Sequence, residues 1–419
     1  MKKRLAQHLF LFGNVLKWVA LAVLSGISAG AGAAVFLHLL NLAGQLASRY
    51  PWFFLLLPAG LVVSSCLSRY LSPEAEGHGT EKVIEAVHQR EGKISPLVVP
   101  VKMVTTLVTV ACGGSVGKEG PCAQIGAGLS SLWARVLRLK GDDRKKLVIC
   151  GLSAGFASVF GTPIAGAIFG VEVLFIDDFL YEVLLPSFVA GITSYQVCLA
   201  LKVRYLHTQI LTSFSPGYLL FLQAVGAGLF FGLVAVYFIK LLDRGKRVSD
   251  SLKIAAFWKA VAGGVLLIVL TLIFSRQYLG LGTETIEGCL SGEKISWKAF
   301  LLKPVFTSLT LASGGSGGVL TPIFFTGAAA GNLLAPLLGM ETKVAAGLGL
   351  CGLLAGAANT PLAASVMAME FFGPAIAPYA SLTCLISFLV TGNRSVYPSQ
   401  LVAFSKMLAL RMRPGRRVG

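Results

Sequence analysis

Three short motifs rich in glycine and proline each occur twice in this chain, in the same order and about 200 residues apart. Gly77-His78-Gly79-Thr80-Glu81 returns as Gly280-Leu281-Gly282-Thr283-Glu284. Gly113-Gly114-Ser115-x-Gly117-x-x-x-Pro121 returns as Gly314-Gly315-Ser316-x-Gly318-x-x-x-Pro322. Thr162-Pro163, with Glu172 nine residues past the proline, returns as Thr360-Pro361 with Glu370 at the same spacing. Lys102 and Lys303 also correspond. A constant order at a near-constant offset makes the chain two homologous halves, 1–205 and 206–419, so its fold is expected to be one supersecondary plan used twice.

The halves are apolar. Hydrophobic residues make up 55% of the 419 and charged residues 13%, where a soluble domain carries about 25% charged. That balance excludes a water-soluble enzyme, a nucleic-acid binder and a disordered scaffold, and leaves an all-α polytopic membrane protein. Apolar segments fall at 15–43, 51–71, 97–112, 119–137, 147–160, 163–176, 180–201, 216–242, 254–275, 300–312, 321–338, 344–357, 361–372 and 378–391. Many are shorter than the ~20 residues of a full span, and the 48 glycines break several of them. Short, Gly/Pro-broken hydrophobic segments mark a transporter with discontinuous helices.

The net charge of +17 is concentrated beside apolar spans rather than on a soluble face. Lys2, Lys3 and Arg4 open the chain; Arg411, Arg413, Arg416 and Arg417 close it. Basic loops follow at 135–146 and 240–259. Short basic loops stay cytoplasmic, so the charge reads as topology, not as a nucleic-acid patch, and both termini are expected on the cytoplasmic side of the cell (inner) membrane. The loop at 336–346, which matches the basic 135–146 loop, holds only Lys343 with Glu341 beside it. Opposite bias in matching loops predicts an inverted-topology internal repeat, one membrane domain with no soluble domain and a substrate site between its halves. A cleaved secretory signal fits less well, because Lys17 interrupts the first apolar run and the run continues past Ala31–Ala34. Eight scattered cysteines without a C-x-x-C or a Cys/His cluster imply no metal, and no cofactor is expected.

The Gly-rich turns carry the chemistry. Gly117-Lys118-Glu119-Gly120-Pro121 reads as a turn with Pro121 at a first helical position, followed by an apolar helix. A helix that starts inside a membrane presents free N–H groups and a positive dipole end, which an anion satisfies. Gly318-Val319-Leu320-Thr321-Pro322 repeats the arrangement, so two helix ends are expected to converge on one anion. Glu119 at such an end makes sense as a tethered anion that competes with the substrate and is released by protonation; a simple cap for the helix is the plainer alternative. Lys118 adds positive potential at the mouth or snorkels to the interface. Lys102 and Lys303 lie in apolar segments leading into the turns and favour an anion, or are lysines near helix ends. Glu172 and Glu370, repeated by duplication, read as caps on neighbouring helices more than as catalysts. Tyr397, in a polar break before the last helix, has a hydroxyl to offer an anion. His78 precedes an amphipathic helix at 80–90 and donates to the anion or sits in a loop; His88 is expected to be solvated.

Together these residues resemble the CLC family of chloride channels and anion/proton antiporters, in the bacterial type without CBS domains. Gly117-Lys118-Glu119-Gly120-Pro121 with Gln124-Ile125-Gly126 resembles the family's G-[KR]-E-G-P signature, and Arg138 to Asp142, Thr162 to Gly166 and Gly318 to Pro322 also match. The resemblance covers about residues 15–410. It implies an inverted-repeat helical fold and a homodimer with one pore per subunit. It makes Glu119 the gating, proton-transferring glutamate. Backbone amides of Val319 and Leu320 and the Tyr397 hydroxyl would line the central anion site, with amides around Lys118 to Gly120 at an outer one.

The chain departs from that pattern at three places. His78 stands where the family's first signature has a serine that binds the anion. Leu320 stands where phenylalanine is usual, and the stretch from Thr321 to Asn332 is similar to the fluoride-exporting branch, although that branch usually has Thr where Pro121 stands. Val173 occupies the position of the second glutamate that exchangers use for proton entry; Asp177 and Asp178 lie nearby. The expected function is CLC-type antiport of chloride, or another small anion, for protons, with a passive chloride channel or a fluoride/proton exporter as alternatives. A membrane enzyme is disfavoured, since none of the five histidines lies in the two Gly-rich turns and no nucleophile–base pair is evident.

Overall fold

The computed structural model describes residues 2–176, 180–205, 217–402 and 416–417. The side chains of Lys2, Lys3, Arg4, Arg416 and Arg417, together with Asp177, Asp178, Arg411, Arg413 and the helix expected after Tyr397, lie outside the described residues. Sixteen α-helices occupy the described chain. The first half holds α1 (Lys2–Ser48), α2 (Leu57–Leu71), α3 (Gly79–Gln89), α4 (Val98–Ala111), α5 (Glu119–Val136), α6 (Gly141–Phe160), α7 (Pro163–Glu172) and α8 (Tyr181–Ala200). The second holds α9 (Tyr218–Ser251), α10 (Ala256–Ile273), α11 (Thr283–Ser291), α12 (Ala299–Ala312), α13 (Leu320–Leu338), α14 (Thr342–Ala358), α15 (Pro361–Phe372) and α16 (Ala377–Thr391). A two-residue strand, β1 (Phe175–Ile176), pairs in parallel with β2 (Leu401–Val402).

Every expected apolar segment lies in or overlaps a helix, but polar residues move the ends. Asp142 and Asp143 form an acidic first turn that starts α6 at Gly141 rather than 147, as the positive end of a helix favours. The helix α9 runs nine residues past its apolar stretch, through Asp243 to Ser251. Among the described residues, seven helices are long and apolar enough to cross a membrane, and five shorter apolar helices, α4, α7, α12, α14 and α15, accompany them. The short ones match expected segments that fall below the length of a full span.

The second half repeats the packing of the first. α5 packs on α6 as α13 does on α14, and α1 packs on α8 as α9 does on α16. The small-residue crossings coincide: Gly126 meets the backbone of Gly151, and Gly327 that of Gly349. Small residues let helices approach closely where lipid supplies no hydrophobic drive between them. Depth is graded. The apolar window of α13 is 83% buried inside the protein and that of α10 only 28%, so α13 is central and α10 peripheral.

The halves meet around equivalent residues. Gly117 and Gly318 form an antiparallel bridge, each N–H donating to the other's carbonyl at 2.6 Å. The Thr105 hydroxyl donates to Ser316 Oγ at 3.0 Å, and the Thr307 hydroxyl lies 3.0 Å from Ser115 Oγ. Ser115 N donates to Thr310 Oγ1 and Ser316 N to Thr109 Oγ1, both at 3.1 Å. Reciprocal contacts between equivalent residues are what a local two-fold axis produces.

Candidate functional site

The helices α5 and α13 begin at the Gly117–Gly318 bridge, both of them buried. They start two residues earlier than the prolines suggested: Pro121 and Pro322 sit third in their helices, not first. That position still falls within the first turn, where no intrahelical acceptor exists, so the missing N–H does no harm. Glycine is required at the bridge by the closeness of the two chains. A Cβ on Gly318 would lie 2.8 Å from Gly120 N, and one on Gly117 would lie 2.5 Å from Glu119 Oε2. Among the described residues, the amides of Glu119, Gly120, Val319 and Leu320 have no acceptor. Three first-turn N–H groups, that of the N-cap residue Val319 and two positive helix ends therefore meet at the bridge.

Glu119 is buried, 2% exposed. Its carboxylate crosses to the other half. Thr321 N donates to Oε2 at 3.0 Å, and the Thr321 hydroxyl lies 2.6 Å from both carboxylate oxygens. Glu119 thus caps α13, the helix of the opposite half, rather than its own. Thr321 is the site residue that sequence reasoning missed. Its signal was the place just before Pro322 in a repeated turn, the second helical position, where N–H and side chain both face the terminus. Lys118 is half-buried, and its backbone N lies 3.4 Å from Thr321 Oγ1.

Among the described residues, the polar side-chain atoms near this volume that are buried without a partner include Tyr397 Oη, Thr80 Oγ1 and His78 Nδ1. The Tyr397 hydroxyl lies near Thr80 and the Glu119 charge, its ring 5.7 Å from that of His78. A Cβ on Gly120 would lie 3.5 Å from Thr80 Oγ1, which puts α3's first turn against α5's. His78 is the N-cap residue of α3. Burial, then the charges of Lys102, Lys246 and Lys82, lowers its pKa to about 3, so the ring is neutral. Orphaned buried polar atoms are rare in folded proteins and call for a ligand or water.

The remaining expected residues hold this frame. Lys102 is fully buried and donates to the carbonyls of Ala75 at 3.0 Å and Gly77 at 2.5 Å, fastening the loop that carries His78. Lys303 does the same for Tyr278 and Gly280, at 3.1 and 2.8 Å. Glu172 and Glu370 cap across the repeat: Glu172 accepts from Leu362 N and Ala363 N at the start of α15, Glu370 from Ile164 N and Ala165 N at the start of α7. Gln400 donates to the carbonyls of Val173 and Ala358, at 2.8 and 2.9 Å, and fixes the Tyr397 loop. His88 corrects the expectation of a solvated side chain. It is half-buried, 2.9 Å from the Leu174 carbonyl, with its ring against Phe175.

A membrane fold of paired, broken helices that aims free amides and orphaned hydroxyls at a buried carboxylate defines a class, the membrane anion transporters. The family model described as voltage-gated chloride channel matches residues 59–392, and the chain belongs to this family, known as CLC. It is 39% identical over 415 residues to a protein of Pseudomonas syringae pv. tomato named chloride/fluoride channel protein, covering 97% of this chain and 91% of the relative. It is 27% identical to the voltage-gated ClC-type chloride channel ClcB of Escherichia coli, covering 92% and 96%. The solved structure of a CLC-type fluoride/proton antiporter superposes with a TM-score of 0.88 at 29% identity, covering 93% of this chain and 98% of that one. A slow cyanobacterial Cl⁻/H⁺ antiporter shares the fold, with a TM-score of 0.76 at 20% identity over 89% and 94%. The protein is a CLC-type, multi-pass membrane anion transporter.

Proposed function

We propose that this protein exchanges a small anion, fluoride ahead of chloride, for protons across the cell (inner) membrane. Glu119 is its gate and proton carrier. The observation that carries the reading is the Glu119 carboxylate seated on the N–H and hydroxyl of Thr321, at the end of the opposite helix. Ionised, the carboxylate holds the anion's place. Protonated, it loses its charge-assisted hydrogen bonds and swings away. The anion then takes the amides of Val319 and Leu320, with the hydroxyls of Tyr397 and Thr321 around it, while the amides of Lys118 to Gly120 form the outer position. Return of the carboxylate expels the anion and delivers the proton to the other side.

Fluoride is favoured by the donor chemistry. A small anion gives up more hydration on leaving water than a large one, and only dense, well-aimed hydrogen bonds offset that. Thr321, Thr80, Tyr397 and His78 put polar atoms around the site. The relative named chloride/fluoride channel protein and the fluoride/proton antiporter structure support the same choice. A passive channel is the second reading, favoured by Val173, an apolar side chain where exchangers carry their inner glutamate.

The two halves, 1–205 and 206–419, lie inverted in the membrane in this reading, with both termini cytoplasmic, and two copies associate as a homodimer with one site each. Purified protein in liposomes tests the transport reading. A fluoride gradient drives protons uphill, faster than an equal chloride gradient does. Anion flux without proton movement would establish the channel, and faster chloride-driven pumping would reverse the order of anions.

A further inference from the structure

Many exchangers take protons from the cytoplasmic side through a glutamate at the position that Val173, fully buried and apolar, fills here. Around α3, the other carboxylates are taken or exposed. Glu85 pairs with Lys82 at 3.1 Å. Glu74 pairs with Arg90 and accepts from Ser95 N at 3.0 Å. Glu76 is exposed beside Arg69. Glu81 differs. Among the described residues, its Oε2 is the only carboxylate oxygen that is buried without a partner. Its Oε1 accepts from Ser399 N at 3.0 Å and Ser399 Oγ at 2.5 Å. Ser399 is two residues from Tyr397, whose own hydroxyl is unpartnered.

We propose that Glu81 relays protons between cytoplasmic water and Glu119. The inference rests on the antiport reading above. Lys82 of its own helix and Lys246, on the exposed polar end of α9, lend their charge to Glu81 and to the neutral His78 alike. Tyr397 in turn feels the charges of both Glu119 and Glu81, so Glu81, Tyr397 and Glu119 form one electrostatic neighbourhood. The α3 helix is amphipathic and is not one of the apolar spans. Burial raises the Glu81 pKa from its ordinary value, against the lowering effects of Ser399, Lys246 and Lys82, which brings proton uptake nearer to physiological pH.

The step balances without a co-reactant. Oε2 of the Glu81 carboxylate takes a proton from water on the cytoplasmic side and forms an O–H bond. The carboxylic acid gives that proton to water in the site, which passes it to the Glu119 carboxylate. Glu81 returns to its ionised form, and the reverse sequence runs outward.

Glu81→Gln separates a relay from a mere tether, because the amide oxygen still accepts from Ser399 while the group no longer carries a proton. Proton and fluoride fluxes are recorded together in liposomes for the wild type, Glu81→Gln and Ser399→Ala, with thermal unfolding as a check that each variant is folded. The relay predicts a proton-to-anion ratio lowered roughly tenfold or more in Glu81→Gln, with anion flux retained, and a near-normal ratio in Ser399→Ala. A wild-type ratio in folded Glu81→Gln overturns the relay and leaves antiport standing. A wild type that moves anion but no protons overturns both.

Discussion

If the Glu119 carboxylate and the transported anion contend for the same donors, then weakening the carboxylate must strengthen the anion. Glu119→Gln keeps size and shape and removes the charge. Two donor groups hold the carboxylate, Thr321 N at 3.0 Å and the Thr321 hydroxyl at 2.6 Å. Hydrogen bonds to an ionised acceptor are roughly twice as strong as neutral ones, about 1.5–3 against about 0.5–1.5 kcal/mol. Each bond therefore loses about 1 kcal/mol, and the hold on the site falls by about 2 kcal/mol. Apparent affinity is reduced by the fraction of time the competitor occupies the site, so anion affinity should rise about 30-fold. Isothermal titration of fluoride and chloride into purified wild type and variant measures this. Equal or weaker anion binding in Glu119→Gln would refute the competition, because a residue that only caps α13 leaves the anion indifferent to its charge.

Other changes have separable outcomes. Tyr397→Phe removes a buried hydroxyl with no protein partner, so thermal stability should hold or rise while anion affinity falls by roughly 10- to 100-fold; a fall in melting temperature with unchanged affinity would make Tyr397 structural. Gly117→Ala puts a methyl 2.5 Å from Glu119 Oε2 and 2.7 Å from Thr321 Oγ1. Displacing the gate this far should slow transport on the order of a hundredfold, and wild-type flux would show that the carboxylate position is unimportant. Glu370→Ala uncaps α7 at Ile164 and Ala165 and should cost about 1–2 kcal/mol, read as a lower unfolding temperature in detergent. Glu370→Gln should recover part of it, and an unchanged Glu370→Ala would mean the cap is idle.

Much of this arrangement was legible because duplication writes the same instruction twice. The repeated Gly-x-x-x-Pro turns announced two broken helices, and their apolar flanks announced that both begin out of water. The equal spacing of Glu172 and Glu370 announced caps. What each carboxylate caps was not legible. Both reach across to the equivalent helix of the other half, and partners about 200 residues apart carry no local signal. Thr321 was hidden for the same reason: a threonine before a proline is an ordinary helix start until Glu119 arrives from the other half. Glu81 stands on the amphipathic helix after His78 with no local mark that sets it apart, and its partner Ser399 lies 318 residues away. His88 was misjudged because the Leu174 and Phe175 segment that covers it is remote in sequence. The early starts of α5 and α13 escaped notice because proline marks the first turn without fixing its register.

The central claim is that one site is contested by an anion and a protonatable side chain. Anion affinity measured from neutral to acidic pH tests it most directly. The account predicts that wild-type affinity rises on acidification, as protonation withdraws the competitor, and that Glu119→Gln binds tightly with no such rise. A wild type whose affinity ignores pH, or a Glu119→Gln that keeps the wild-type slope, would contradict it.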